Sequence, residues 1–179
     1  MDSEPNLIST ARLDLQLVSV EELLSFAANP TDLLGARGIS NPYGWFGPEP
    51  GPVQRRIAQV KVDPSVNPWL LRAIVERATN EAVGLINFHD RPDAQGMLEV
   101  GYRIAAPRRR EGFAREATFG LFHWASHQPG VAVFRASISP DNTASLALAA
   151  GLGFIEVGVQ EDEIDGTEII FEVAAANFR

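Results

Sequence analysis

The sequence predicts an α/β fold with a mixed sheet of about seven strands and about four helices, and two observations indicate it. Three runs rich in large apolar residues, 69–76, 82–90 and 97–104, follow one another across polar turns, as in an antiparallel meander. The strand-like run 131–138 then follows a segment, 113–127, whose apolar residues recur at helical spacing. A strand, a helix and a strand in this order indicate a crossover connection, so the sheet is mixed.

The N-terminal elements are predicted to be a strand and two helices. Residues 13–17 alternate apolar and polar side chains, which is typical of a half-buried strand. Ser19 and Glu22 have the spacing of a capping box, which predicts a helix that runs to about Ala28 and is stopped by Asn29-Pro30. Apolar residues at helical spacing in 53–62 predict a second, amphipathic helix.

The C-terminal part is predicted to contain a short helix at 142–152 and a β-hairpin. The hairpin strands, 154–159 and 168–173, are expected to turn near Asp165-Gly166. We expect 168–173 to be an exposed edge strand. Its unpaired backbone groups could then join a second copy in a homodimer.

Composition favours one ordinary globular domain, since 179 residues suffice for a substantial core. The chain has no cysteine, which excludes disulfides, thiolate nucleophiles and cysteine-ligated metals. A net charge of −8 disfavours a nucleic-acid surface and favours a cationic substrate such as an amine, although acidic surfaces are also common without any such role. No apolar run approaches the ~20 residues of a membrane helix, so we expect a cytoplasmic protein.

The clearest chemical signal lies in the stretch 107–117. It follows the predicted strand 97–104 directly and leads into a helix, so the turn gathers backbone N–H groups at a helix N-terminus. Gly112 has no side chain and Ala114 a small one, which lets a ligand approach the backbone. Neighbouring arginines add charge-assisted contacts. The stretch therefore predicts a phosphate-binding loop.

Two further motifs, together with this loop, resemble one family. Arg109-x-x-Gly112-x-Ala114 resembles the pyrophosphate loop of the GNAT superfamily of coenzyme-A-dependent N-acetyltransferases. The run 142–154, with its N-x-x-S and L-G-F motifs, is similar to a helix of the ribosomal-protein N-terminal (RimJ/RimL-like) acetyltransferase branch. The run 12–15 is similar to that branch's opening strand. The motifs span almost the whole chain.

The resemblance implies a GNAT fold, acetyl-CoA as cosubstrate and no metal. The strands 97–104 and 131–138 are then parallel neighbours that splay apart, and the pantetheine arm pairs with backbone in the gap. The diphosphate would rest on the amides of 110–114, and a backbone N–H near 102–104 would stabilise the oxyanion. The expected coenzyme-binding residues are Tyr102, Ile104, Arg109, Arg110, Glu111, Gly112, Phe113, Ala114, Asn142 and Ser145.

Glu99 is the first candidate for the base, because the acceptor amine must be neutral before it attacks the thioester. The resembling family often has an acid near this place in the strand. Strand periodicity leaves open whether Glu99 faces the cleft or solvent. His89, Asp90 and the acidic run 161–163 are the alternatives, and a solvated turn also explains that run.

Ser145 is the candidate proton donor to the leaving thiolate. Many family members have a tyrosine one turn later, where this chain has Ala149, so Ser145 or water would serve instead. Ser145 could equally be a small residue that permits close helix packing. Asn142 could equally be a helix cap.

The segment 31–52 is predicted as a loop rich in glycine, proline and aromatic residues. In the resembling family this segment forms one wall of the acceptor pocket. Tyr43, Trp45 and Phe46, with His89, are therefore the expected acceptor-binding residues. The alternative is that the aromatic side chains cap the core.

The leading hypothesis is an N-acetyltransferase that passes an acetyl group from acetyl-CoA to a primary amine in a ternary complex. The amine could belong to a protein N-terminus or to a small molecule. One alternative is a coenzyme-binding regulatory module without transferase activity. Another is an unrelated α/β interaction domain.

Overall fold

The computed structural model describes residues 6–30, 32–46, 52–162 and 166–179. The strands are β1 Leu7–Ser9, β2 Leu13–Leu17, β3 Arg72–Glu76, β4 Glu81–Phe88, β5 Met97–Ile104, β6 Val133–Ile138, β7 Ile155–Asp162 and β8 Gly166–Ala174. The α-helices are α1 Val20–Ala28, α2 Leu33–Ala36, α3 Pro52–Val62, α4 Phe113–Ser126 and α5 Thr143–Gly151. Short 3-10 turns lie at Pro64–Trp69, Ala106–Arg108 and Ala175–Phe178. None of the described helices has the length and apolar character needed to cross a membrane.

The strands form one sheet in the order β1-β2-β3-β4-β5-β6-β8-β7. Every pair of neighbours is antiparallel except β5 and β6, which run parallel. The predicted mixed sheet, with a meander followed by a crossover, is therefore confirmed. The strand that the prediction lacked is β1, whose three residues are too few to show a period of two.

The N-terminal helices follow local capping signals. Ser19 accepts a hydrogen bond from the Glu22 N–H at 3.2 Å, and the Glu22 carboxylate accepts from the Ser19 N–H at 2.8 Å, so the capping box is confirmed. The segment 31–52 is not entirely loop. Asp32 caps the one-turn helix α2 by accepting from the Gly35 N–H at 3.0 Å. Residues 47–51 lie outside the described part of the chain.

The C-terminal hairpin is placed differently from the prediction. β8 pairs with β6 on one side and with β7 on the other. The prediction that 168–173 is an exposed edge strand is therefore wrong, because the hairpin inserts its second strand beside β6. β7 forms this edge of the sheet, and β1 forms the opposite edge. The side chains of Ile155, Val157 and Val159 on β7 are exposed. The predicted turn residue Asp165 lies outside the described residues.

Helices cover the two faces of the sheet and create two hydrophobic clusters. On one face α4 packs against the central strands, where the rings of Phe122 and Phe134 stack with centroids 4.0 Å apart. On the other face α1 and α3 bury Phe26 and Ile57 against the N-terminal half of the sheet. The second face is therefore covered beside β2 to β4, next to the point where the central strands separate.

Candidate active site

β5 and β6 separate in the middle of the sheet. Their parallel pairing consists of three residue pairs, from Met97 opposite Val133 to Glu99 opposite Arg135. β5 then continues to Ile104, and β6 continues beyond Arg135, without pairing to each other. The two strands therefore splay, as the resemblance implied, and a gap opens between them.

The backbone of β5 presents hydrogen-bonding groups to this gap. The His89 N–H donates to the Glu99 carbonyl at 2.8 Å, so Glu99 directs its backbone groups toward β4. Alternate residues of a strand point these groups to opposite sides, so Tyr102 and Ile104 direct theirs toward β6. The Ile104 carbonyl accepts a hydrogen bond from Arg109 Nε at 3.2 Å. An extended ligand with amide groups can pair with such an edge.

The predicted phosphate loop lies at the N-terminus of α4. Gly112 is the N-cap residue with φ 82°, and Arg110 has φ 67°. Left-handed residues on both sides of Glu111 turn successive N–H groups toward one side, and the free N–H groups of the first turn of α4 add to them. Glycine adopts this conformation at no steric cost, whereas arginine does not. The loop has the geometry of an anion-binding site.

A cleft of about 630 Å³ connects the strand gap with this loop. It is lined by Tyr102, Arg103, Ile104, Arg108, Arg109, Arg110, Gly112, Phe113, Ala114, Arg115, Asn142, Ala144, Ser145 and Leu148. Five of these residues are arginines and none carries a carboxylate, so the cleft is positive although the chain is acidic overall. The structure thus brings nine of the ten expected coenzyme-binding residues into one cleft, and the tenth, Glu111, lies outside its lining.

Glu111 belongs to an ion-pair cluster that holds the loop from behind. Arg108 is at its centre, with nitrogen–oxygen distances of 3.0 Å to Glu111, 2.9 Å to Glu76 and 2.7 Å to Glu81. The guanidinium carbon of Arg108 also lies 5.0 Å from the centroid of the Phe113 ring. Hydrogen bonds with Arg108 lower the pKa of Glu76 and of Glu111, while the carboxylates raise the pKa of Arg108.

Arg12 supports the same loop from the other side. It donates to the Glu111 carbonyl at 3.0 Å and pairs with Glu116 at 2.7 Å. Burial raises the pKa of Glu116, but hydrogen bonds from Thr10 and Arg12 outweigh this effect and lower it overall. In the sequence, Arg12 is visible only as the first residue of the 12–15 motif. A separation of 99 residues from Glu111 leaves no local signal for the contact.

α5 brings Asn142 and Ser145 to the opposite wall of the cleft. Asn142 Oδ1 accepts from the Ser145 N–H at 3.1 Å, so Asn142 caps α5, as the alternative predicted, and also lines the cleft. The Tyr102 hydroxyl donates to Ser145 Oγ at 3.0 Å, a contact that strand and helix patterns could not reveal. Burial raises the pKa of Tyr102 and the Ser145 hydrogen bond opposes this, so the phenol remains protonated at neutral pH. Ala149 is buried.

Glu99 lies on the face of the sheet opposite α4. Its neighbours Leu98 and Val100 pack in the cluster beneath α4, so the alternation of a strand directs Glu99 to the other face. There Glu99 Oε1 accepts from Ser137 Oγ at 2.7 Å, and His89 Nδ1 lies 3.8 Å away. The carboxylate is 22% exposed. Glu99 and His89 therefore meet where β5 and β6 begin to separate.

The expected acceptor-binding residues are not all brought together. Tyr43 donates to Glu81 Oε1 at 2.8 Å, and Trp45 Nε1 donates to a β4 carbonyl at 2.8 Å. Both contacts lie at the start of β4, whereas His89 follows its end, seven or eight residues further on and about 25 Å away at ~3.3 Å per residue. Phe46 is buried in the core beneath α1 and α3, as the alternative predicted.

The remaining candidates lie away from the cleft. Asp90 is exposed and accepts a hydrogen bond from the Arg91 N–H at 2.7 Å, while Glu161 accepts from Thr167 at 2.7 Å within the C-terminal hairpin. Glu163 is not among the described residues. In the part of the chain that the structure describes, no three histidine or acidic side chains converge as metal ligands.

The structure has a mixed sheet, central strands that splay apart and an anion-binding loop at the start of the following helix. These are the features of the GNAT fold that the sequence motifs implied. The family model of the acetyltransferase (GNAT) domain matches residues 15–155. The chain belongs to the GNAT acetyltransferase family.

Curated relatives match parts of the chain. It is 35% identical over 82 residues to the uncharacterized N-acetyltransferase YjdG of Bacillus subtilis strain 168, over 46% of this chain and 49% of that protein. It is 28% identical over 90 residues to the uncharacterized N-acetyltransferase p20 of Bacillus licheniformis, over 50% of this chain and 51% of that protein. The chain spans about half the length of the curated relatives it matches.

Solved structures match nearly the whole chain. RimJ of Mycobacterium smegmatis, in complex with CoA-disulfide, has a TM-score of 0.65 and 16% identity, over 97% of this chain and 89% of that chain. The ribosomal-protein-S5-alanine acetyltransferase of Vibrio fischeri has a TM-score of 0.66 and 14% identity, over 97% of this chain and 98% of that chain. These likenesses confirm the GNAT fold.

Proposed function

We propose that this protein transfers an acetyl group from acetyl-CoA to a primary amine by direct attack within a ternary complex. The observation that carries the proposal is the continuity of the strand gap with the arginine-lined cleft and the loop at the start of α4. Acetyl-CoA has matching parts in the same order. The amides of its extended pantetheine arm fit the strand gap, and its diphosphate fits the loop. The absence of cysteine fits direct transfer, since no thiolate is available to carry the acetyl group.

The coenzyme would use backbone more than side chains. In this arrangement the pantetheine amides pair with the edge of β5 that faces the gap, at Tyr102 and Ile104, and the diphosphate accepts from the N–H groups of 110–114. Arg109, Arg110 and Arg115 add charge at the loop, since all three line the cleft. Asn142 already uses its side-chain oxygen as a cap, so its amide N–H groups are what it offers to a ligand.

Ser145 and Tyr102 bring two hydrogen-bonded hydroxyls to the lining of the cleft. When the carbon–sulfur bond breaks, its electron pair goes to sulfur, and Ser145 is placed to give the thiolate a proton. The Tyr102 hydroxyl donates to Ser145 and can replace the proton that leaves. On the other face, Glu99 and His89, which lie 3.8 Å apart, are together placed to accept the proton of the amine.

The proposed acceptor is a primary amine, which could belong to a protein N-terminus or to a small molecule. The solved neighbours include proteins named as ribosomal-protein acetyltransferases, which favours a protein N-terminus, and a small amine is the other member of the class. The surface around the cleft belongs to a chain with a net charge of −8, which favours a cationic acceptor. Cytoplasmic location, expected from the sequence, fits both acceptors.

Calorimetric titration with acetyl-CoA, with dephospho-CoA as a comparison, tests the proposal. We expect binding by the wild-type protein and weaker binding by Arg109→Ala, whereas Arg55→Ala, an exposed arginine outside the cleft, serves as the matched control. A thiol-release assay with peptide N-termini and polyamines follows. No binding by folded protein would overturn the proposal. Binding without thiol release from any amine would favour the regulatory module instead.

A further inference from the structure

The imidazole of His89 lies directly against β5 over Gly101. A methyl group built at the Gly101 Cα would come within 2.8 Å of His89 Nε2, so any larger residue there would occupy the place of the ring. Gly101 and Glu99 are two residues apart and therefore share a face of the strand. One ring nitrogen, Nδ1, is directed toward Glu99, and the other, Nε2, lies above the strand where β5 and β6 have parted.

The backbone of His89 is fixed from α3. Arg56 donates to the His89 carbonyl at 2.7 Å, and Gln59 Nε2 donates to the same oxygen at 2.8 Å. Arg56 is 6% exposed, and a buried arginine that bonds a backbone carbonyl is a costly arrangement. Two donors on one carbonyl hold the backbone of His89 in place at the end of β4, so the point from which the imidazole extends is fixed.

Glu99 is held on its other side. Ser137, from β6, donates to Glu99 Oε1 at 2.7 Å, and His89 Nδ1 lies 3.8 Å from the same oxygen. The carboxylate therefore lies between the serine and the histidine, with Nδ1 just beyond hydrogen-bond distance. Such contacts often shorten when substrates bind.

We propose that His89 is the group that takes the proton from the attacking amine, with Glu99 as the residue that positions its ring. This inference rests on the proposed acetyl transfer. The cleft for the coenzyme lies on the α4 side of β5, whereas His89 lies on the opposite face at the same part of the strand. An amine that approaches from the open face thus meets the thioester in the gap and Nε2 beside it.

The charges around His89 suit a base. Partial burial lowers the pKa of His89, Glu99 raises it, and Arg56 and Arg55 on α3 lower it further, with a lowered pKa as the result. Asp90, the next residue, is exposed. At neutral pH the imidazole is therefore mostly uncharged and has a free lone pair. When the imidazole gains a proton, the neighbouring Glu99 carboxylate stabilises the positive charge that forms on the ring.

The proton and electron changes balance. The lone pair of the neutral amine attacks the thioester carbonyl, the nitrogen–carbon bond forms, and the N–H proton passes to His89 Nε2. The carbon–sulfur bond then breaks with its electron pair on sulfur, and the thiolate takes a proton from Ser145, which regains one from water through Tyr102. The imidazolium returns its proton to water, so the products are the amide and free coenzyme A.

Four variants separate the possible roles. We expect His89→Gln to lower kcat by about 100-fold or more, within the range of a lost general base. Gly101→Ala should displace only the half-exposed ring, and should lower kcat while the fold and coenzyme binding persist. Glu99→Gln should lose less activity and shift the pH–rate midpoint downward, because the carboxylate raises the pKa of His89. The matched control, His127→Gln, is an exposed histidine at the end of α4 and should leave the rate unchanged.

Two readouts keep this inference distinct from the proposed function. NMR titration of the imidazole signals reports the pKa of His89 without any transfer, and it should fall in Glu99→Gln. Calorimetry with acetyl-CoA reports binding. If the coenzyme binds and transfer occurs, but His89→Gln keeps its full kcat while Glu99→Gln loses activity, Glu99 is the base and the inference is overturned. If the coenzyme does not bind, the proposed function fails, and the inference fails with it.

Discussion

Replacing Arg108 with methionine removes the centre of the ion-pair cluster behind the anion-binding loop at the start of α4. The guanidinium lies within 3.0 Å of Glu76, Glu81 and Glu111, and the Arg108 side chain is 16% exposed. Methionine keeps an aliphatic side chain against the Phe113 ring but removes the charge. Arg108→Met therefore leaves three neighbouring carboxylates without their shared cation.

The expected loss of stability lies between two limits. Exposed ion pairs contribute about 0–1 kcal/mol each, whereas removing one partner of a buried pair costs about 3–5 kcal/mol. Arg108 is largely but not fully buried and serves several partners, so we expect a loss of about 2–3 kcal/mol. For a chain of this size that corresponds to a decrease of about 5–10 °C in Tm.

Urea denaturation at neutral and acid pH measures this loss, with Arg110→Met as the matched control. Arg110 belongs to the same loop and its side chain is exposed. Its replacement by methionine leaves a non-glycine residue at the same positive φ. Arg108 lowers the pKa of Glu76 below its ordinary value of 4.5. A carboxylate whose pKa is lower in the folded state stabilises the protein at pH values above its pKa in the unfolded state. This contribution disappears as the pH falls through its pKa in the folded state. The difference between wild type and Arg108→Met should therefore be full at pH 7 and shrink below about pH 4.5. A loss equal to that of Arg110→Met at pH 7 would refute the reasoning.

Three further outcomes are expected. Asn142→Ala removes the cap of α5 and should destabilise the protein by about 1 kcal/mol in urea titrations, with the adjacent exposed Asp141→Ala near zero. Gly112→Ala places a side chain at φ 82° and should weaken acetyl-CoA binding by calorimetry, and an unchanged Kd would contradict the loop assignment. Sedimentation should detect dimers that pair through the exposed edge β7 and that Val159→Lys disperses. Wild-type protein that remains monomeric at every concentration would exclude this contact.

Elements with strong local signals could be predicted from the sequence. The helix that Ser19 caps and the helix after Gly112 follow from capping and spacing, and the structure contains both. The meander and the crossover follow from the order of the apolar runs. Nine of the fourteen residues that line the cleft could also be predicted, because most belong to the motif 109–114 or to the motif that contains Asn142 and Ser145.

What the sequence could not provide depends on contacts between distant residues. The role of Arg108 requires Glu76 and Glu81, which lie 32 and 27 residues away on strands whose register is set by the whole sheet. The position of His89 over Gly101 depends on the antiparallel pairing of β4 and β5. Which strand of the final hairpin lies at the edge depends on how the hairpin inserts beside β6, and both strands carry similar apolar patterns.

The short pairing of β5 with β6 makes the sheet two half-sheets joined by a narrow seam of three residue pairs. A molecule bound in the gap beyond that seam would contact both half-sheets, as an additional strand would. Its binding would therefore stabilise the folded state against unfolding. Bound ligand at 100 times its Kd stabilises a folded protein by about 2.7 kcal/mol. For the proposed ligand, acetyl-CoA, this predicts that the lifetime of the protein against proteolysis increases with the ligand concentration, so that a cell with little acetyl-CoA would also keep less of this protein.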